Sequence, residues 1–284
     1  MFTREDQMGF YDQRTNQVLI DALGIKIHTV ANLADYPQAN VIIVHGLGEH
    51  LEKYDQLTSF LLANHCNVFR YDQPGHGQSE GERGYLQSAS DLETTLATIV
   101  EQVKSEFYYF PTFLIGHSMG GFTILRYLTK TTGQIAGAVV VDPFSVYQIP
   151  TLGKLPLNLD PHQVIPDQTS GGQGVNADSR VEQRAAQDPA NLANLKVGIM
   201  NALGNGAVEL KDNLNQITDP ILFLHGQADG VVDYHDTLTV YDQISSEDKE
   251  LHLYPYIMHS LLVDPSRQTE IYQEILRWLE RHHY

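Results

Sequence analysis

Ser118 lies at the centre of Gly116-His117-Ser118-Met119-Gly120, between the apolar run Phe113-Leu114-Ile115 and a helix-like stretch over 122–128. Strand, sharp turn and helix with a serine at the tip match the G-x-S-x-G nucleophile elbow. So tight a turn strains the serine backbone, and a side chain two residues to either side would strike neighbouring backbone. The bare pentapeptide also fits an ordinary glycine-rich turn, so the flanking strand and helix carry much of the signal.

A serine hydroxyl is a poor nucleophile near neutral pH. It needs a base for its proton and a third group to fix the tautomer of that base. Asp229 and His259 supply both, each in a loop after a late strand-like run. With 13 histidines in the chain, type alone selects none of them. Position does: His259 follows the last strand-like run, whereas His225 and His252 lie at the end of and inside such runs, where structural roles are expected. Asp142 and Asp233 compete for the acid. Asp229 is preferred because only Gly226-Gln227-Ala228 separates it from its strand. A tetrahedral oxyanion needs two preorganised donors. The N–H of Met119, just after the nucleophile, is one. The turn after Val41-Ile42-Ile43-Val44 should provide the other through the N–H of Leu47.

These side chains must be held by a scaffold. Residues 17–21 and 25–31 read as a β-hairpin. Val41–Val44, 68–71, 113–115, 135–141, 221–224 and 250–254 read as strands. Between them, helical spacing recurs, as in Leu92, Leu96, Ile99, Val100 and Val103. Helices are also expected over 206–217, 234–244 and 265–282. Alternating strands and helices predict a mostly parallel sheet covered on both faces. Ligands bind such sheets beyond the carboxyl ends of the strands, so His45, Asp72, Ser118 and Asp142 should share one rim. The order Ser118, Asp229, His259 is that of the α/β-hydrolase arrangement. The fold class expected is therefore α/β, an α/β-hydrolase fold, in a single domain over 1–284. The pattern breaks at about 144–205, where prolines, glycines and aperiodic leucines predict a cap inserted over the rim, partly helical over 188–203.

The chain has 284 residues and a net charge of −17. So acidic a protein lacks the basic surface that nucleic acid needs. Cys66 is the single cysteine, so no intramolecular disulfide is expected, and the thiol reads as buried and inert. The N-terminus has no signal-peptide apolar region and no run is long enough to span a bilayer, so a cytoplasmic protein is expected. His45, His50 and His76 fit no standard zinc spacing, and neither a metal nor a cofactor is expected.

The chain resembles the monoacylglycerol lipase family of α/β-hydrolases, related to the serine aminopeptidase-like lysophospholipases. The residues that carry the resemblance are His45-Gly46-Leu47-Gly48-Glu49-His50, Tyr54, Asp72, the run Gly75-His76-Gly77-Gln78-Ser79-Glu80-Gly81-Glu82-Arg83-Gly84, residues 116–121, and His225-Gly226 with Asp229. It extends from about residue 15 to the C-terminus and is weakest across the cap. It implies hydrolysis of monoglyceride esters to fatty acid and glycerol, with Ser118, Asp229 and His259 as triad, Leu47 and Met119 as oxyanion donors, and an apolar cap over an acyl tunnel. The substrate-binding candidates are Glu49 in the first motif, Lys53 just before Tyr54, and Ile149, Leu152 and Leu157 in the cap. Transient contact with a membrane or lipid-droplet surface through the cap is a further expectation. Two departures bear on the head group: Lys53 stands where the family usually has arginine, and Tyr256-Ile257-Met258 replaces its glycine-containing approach to the histidine. A lysophospholipase or broader carboxylesterase is the near alternative, an aminopeptidase a third, and a ligand receptor on a hydrolase scaffold the alternative of another class. A dehalogenase would need an aspartate in place of Ser118.

Overall fold

The computed structural model describes residues 14–151, 153–166 and 174–283. Ten strands are formed among the described residues: β1 (Arg14–Ile20), β2 (Lys26–Asn32), β3 (Ala39–Val44), β4 (Cys66–Tyr71), β5 (Thr112–His117), β6 (Gly137–Val141), β7 (Val164–Pro166), β8 (Asn194–Lys196), β9 (Ile221–Gly226) and β10 (Lys249–Tyr254). Eight build one sheet in the order β1-β2-β4-β3-β5-β6-β9-β10, and β7 and β8 form a separate ribbon. The β1–β2 hairpin is antiparallel and joins β4 antiparallel. From β4 to β10 every pairing is parallel.

Parallel strands need crossover helices, and these bury both faces of the sheet. The helices are α1 (Asp55–Ala63), α2 (Ser90–Glu106), α3 (Met119–Leu128), α4 (Ser179–Gln187), α5 (Val197–Asn213), α6 (Tyr234–Gln243) and α7 (Gln268–Arg281). Side chains alternate across a strand, so each continuous apolar run feeds two cores. Val41, Ile43, Phe113, Ile115 and Val139 pack with Leu57 and Leu61 of α1 and Ile271, Ile275 and Trp278 of α7. Ile42, Val44, Leu114, Ala138 and Val140 pack on the opposite face with Leu92 and Leu96 of α2, Phe122 and Leu125 of α3, and Leu203 and Leu210 of α5. Full burial of each such Leu, Ile or Val contributes roughly 1.5–3 kcal/mol. All ten residues of α3 are buried, which fixes the helix behind the serine.

One helix differs from its expected span. Instead of starting at Gly206, α5 starts at Val197, so the expected limit of the insertion near 205 falls inside it. Gly198, Gly204 and Gly206 weaken the helical pattern in the sequence. In the fold they let α5 approach its neighbours. A Cβ at Gly204 would lie 2.6 Å from Leu155 Cβ, and one at Gly206 would lie 2.5 Å from Ala89 Cβ. Residues 188–193 are accordingly not helical but turn, and they lead into β8.

Candidate active site

Ser118 joins β5 to α3 with φ 52° and ψ −116°, a strained left-handed geometry for a residue with a side chain. Its surroundings explain the two flanking glycines. A Cβ at Gly120 would stand 2.0 Å from the carbonyl oxygen of Val44, and one at Gly116 would stand 2.5 Å from that of Gly120. The elbow therefore packs directly on the end of β3, which brings the turn after β3 beside the serine.

His259 lies in the loop after β10. Its Nε2 is 2.9 Å from Ser118 Oγ, and its Nδ1 is 2.7 Å from Asp229 Oδ2. Nδ1–H thus donates to Asp229, leaving Nε2 to accept the serine proton. Asp229 follows β9 and is itself fixed: its Oδ1 accepts the N–H groups of Val231 at 2.7 Å and Val232 at 2.8 Å. Burial opposes ionisation of Asp229, but His259 and a hydrogen bond from His225 outweigh it and hold the carboxyl below its ordinary range. Burial also opposes charging of His259. Asp229 overcomes that effect, with Asp142 and Glu49 adding to it, so the imidazole is raised above its ordinary value. The competing acids are engaged elsewhere. Asp233 caps α6 by accepting the N–H of His235 at 2.9 Å. Asp142 accepts the N–H groups of Gly226 at 2.9 Å and Leu261 at 3.2 Å.

The expected oxyanion donors also meet here. Met119 is the first residue of α3, so its N–H is among those a helix leaves without an intrahelical acceptor. Leu47 lies in the turn after β3, and both residues line a small cavity with Ser118, Glu49, His259, Phe144, Met200, Leu203, Val231 and Val232. His45 shapes that turn: Gln73 N–H donates to its Nε2 at 2.9 Å, and its Nδ1–H donates to the Gly46 carbonyl at 2.8 Å.

Glu49 is buried on the cavity wall. Its Oε2 accepts Gly46 N–H at 2.9 Å and Tyr54 O–H at 2.6 Å, and its Oε1 binds Lys53, which is half-buried. Burial raises the carboxyl, but Lys53 and His117 outweigh it and hold Glu49 well below the usual range, so it is charged. Ile149 is partly exposed, and Leu157 packs on the core with its N–H on Asn201 Oδ1 at 2.6 Å. Neither is among the residues lining the cavity beside Ser118. Leu152 lies outside the described residues. Residues 75–84 are tied to the insertion rather than to the cavity wall, through Lys196 N–H on the Gly84 carbonyl at 2.8 Å. His50 likewise reaches the insertion, with its Nε2 2.9 Å from Asp188 Oδ2.

Two histidines and an aspartate beside the site had no local signal for such a role. His225 Nε2–H donates to Asp229 Oδ2 at 3.1 Å while its Nδ1 accepts from Thr237 Oγ1 at 2.7 Å. His117 Nε2–H donates to the carbonyl of His259 at 2.8 Å. Asp142 lies among them. Two sets, His117–Asp142–His259 and Asp142–His225–Asp229, each bring one potential ligand atom per residue within 4.8 Å. Their carboxylates are already held by backbone N–H groups, and the arrangement is that of a hydrogen-bonded network around the base.

An elbow serine after β5, an acid after β9 and a histidine base after β10, all at one end of a mostly parallel sheet, define the α/β-hydrolase class. The sequence model of the serine aminopeptidase, S33 family matches residues 35–266, and the chain belongs to that family, an enzyme family of serine hydrolases. Human monoglyceride lipase is 29% identical over 256 residues, covering 86% of this chain and 83% of the relative. Monoacylglycerol lipase of Mycolicibacterium smegmatis is 26% identical over 257 residues, covering 87% and 89%. Among solved structures, a soluble variant of Saccharomyces cerevisiae monoglyceride lipase in complex with a substrate analogue has a TM-score of 0.82 at 22% identity, covering 95% of this chain and 96% of that one. Paleococcus ferrophilus monoacylglycerol lipase has a TM-score of 0.74 at 23% identity, covering 91% and 99%. At that identity the two structures speak for the fold.

Proposed function

We propose that the chain cleaves monoacylglycerols to fatty acid and glycerol through an acyl-enzyme on Ser118. The observation that carries this reading is the relay from Asp229 through His259 to Ser118, opening into an apolar cavity. His259 Nε2 takes the Ser118 proton as Oγ attacks the ester carbonyl. The N–H groups of Leu47 and Met119 receive the oxyanion. As the tetrahedral intermediate collapses, His259 returns the proton to the leaving glycerol oxygen. Water then attacks the acyl-enzyme, again giving a proton to His259, which passes it to Ser118 as the fatty acid leaves. Asp229 stays ionised and stabilises the imidazolium.

Substrate placement follows from polarity. Phe144, Met200, Leu203, Val231 and Val232 offer an acyl chain an apolar wall, while Glu49, steadied by Lys53, offers glycerol hydroxyls a charged acceptor. A charged carboxylate there disfavours an anionic phosphate head group, which ranks lysophospholipids second. The cavity measures about 20 Å³, room for about one water. An acyl chain therefore enters only when the walls from α5 and residues 231–232 move apart. We assign residues of about 144–205 as the cap of a single hydrolase domain. Ile149, Leu159 and Val164 expose apolar surface on it, which supports transient contact with a lipid surface. Among the described residues no helix is long and apolar enough to cross a membrane.

The test is a panel of a long-chain monoacylglycerol, a lysophospholipid and a peptide anilide, run alongside fluorophosphonate labelling. Glycerol release should exceed turnover of the other two, with the label on Ser118. Anilide cleavage without ester cleavage would indicate a peptidase, and an unlabelled Ser118 a ligand receptor.

A further inference from the structure

Asp142 follows β6 at a left-handed φ of 45° and is fully buried. Its two oxygens serve two different loops. Oδ1 accepts the N–H of Gly226, three residues before Asp229, at 2.9 Å, and Oδ2 accepts that of Leu261, two residues after His259, at 3.2 Å. One side chain thus ties together the loops that carry the acid and the base. The same carboxylate faces the imidazoles. His225 Nε2 is 4.0 Å from Oδ1 and His117 Nε2 is 3.9 Å from Oδ2. An Asp142 oxygen, a His117 nitrogen and a His259 nitrogen all lie within 4.8 Å of one another.

We propose that Asp142 is a positioning residue with two effects on the reaction: it staples the loops of Asp229 and His259, and its charge supports the His259 imidazolium as a second acid behind Asp229. The inference rests on the reading of Ser118, His259 and Asp229 as the triad. The charged or titratable groups facing Asp142 are His225, Asp229, His259 and His117, and Glu49 also acts on His259. Burial pushes the Asp142 carboxyl up, and the Asp229 charge adds to that, against the pull of the three imidazoles. Asp229 is held down instead. Of the two carboxylates around one base, Asp229 is thus the more readily ionised, and the charge of Asp142 is opposed first by burial and further by Asp229. Removing the Asp229 charge relieves the part of that opposition that Asp229 contributes, so Asp142 supports the base more strongly when Asp229 is neutral.

A double-mutant cycle with a pH profile tests this on the intact chain. Asp142→Asn should lower kcat/KM for a monoacylglycerol about three- to tenfold and move the acid limb of the profile down by about one pH unit, because His259 loses a favourable charge. In the Asp229→Asn background the same substitution should cost about ten times more than it does alone. A purely structural staple would cost the same in both backgrounds and leave the limb in place, and that result overturns the proposal. Asp142→Ser, smaller and with one acceptor, gives a second neutral replacement should the asparagine variant not fold. If no neutral replacement folds, Asp142 is a structural residue only and the proposal is rejected. Failure of the triad itself is read separately, as turnover that persists in Ser118→Ala.

Discussion

Asp229 and His259 form a unit that neither residue makes alone. Asp229→Asn should reduce kcat by roughly 10²–10⁴-fold by favouring the wrong His259 tautomer, whereas Asp233→Asn, which touches only the α6 cap, should leave it within about twofold. Steady-state ester hydrolysis checks both, and a larger loss from Asp233→Asn would reverse the assignment. The pH dependence has a definite sign. His259 must be neutral to accept the Ser118 proton, and its folded-state pKa is raised by the Asp229 charge. Activity is therefore present above that pKa and lost as pH falls through it, so the acid limb of kcat/KM should lie above about 6.5, the ordinary imidazole value. A limb below about 6, or a flat profile from pH 5 to 8, contradicts a histidine base in this setting. Ser118, Asp229 and His259 were legible in the sequence because each has a local mark: an elbow, or a short turn after a strand. His225, His117 and Asp142 were not legible in these roles. The partners of His117 and Asp142 are distant in sequence, as with His117 and His259, 142 positions apart, and contacts of that kind leave no spacing to read; His225 stands only four positions before Asp229.

The elbow is the element whose backbone allows least change. Gly120→Ala would drive a Cβ to within 2.0 Å of the Val44 carbonyl, and neither strand nor helix can yield without moving the oxyanion turn. Such overpacking costs about 1–3 kcal/mol, so Tm should fall by roughly 2–10 °C and ester turnover should be lost with it. A variant with native Tm and turnover would mean that the close approach is not required. The central strands β3, β5, β6 and β9 were legible as short apolar runs, since burial on both faces leaves no polar alternation to confuse. The start of α5 was hidden because Gly198, Gly204 and Gly206 weaken helical propensity locally while serving close packing that only the fold reveals. The β7–β8 ribbon, three residues a strand, is too short to show a period.

At the scale of the whole molecule, sheet and insertion together enclose the serine. Each methylene buried against Phe144, Met200 and Leu203 should gain roughly 0.8 kcal/mol, which selects long acyl chains over acetate. Met200→Asp places a charge on that wall, and it should depress long-chain monoacylglycerol hydrolysis at least tenfold more than hydrolysis of a short p-nitrophenyl ester. Leu157→Asp, away from the cavity lining, should discriminate far less between the two esters. Equal losses on both substrates for Met200→Asp would move the acyl path elsewhere. The fold class could be read from alternating patterns, but which leucines face the serine depends on how α5 folds back, and no one-dimensional pattern carries that. The most direct measurement is glycerol release from a long-chain monoacylglycerol by the wild-type chain and by Ser118→Ala. The site described here predicts steady release by the wild type and a loss on the order of 10⁴-fold or more in a Ser118→Ala protein of unchanged Tm. Near-native release by that variant, or none by the wild type, contradicts it.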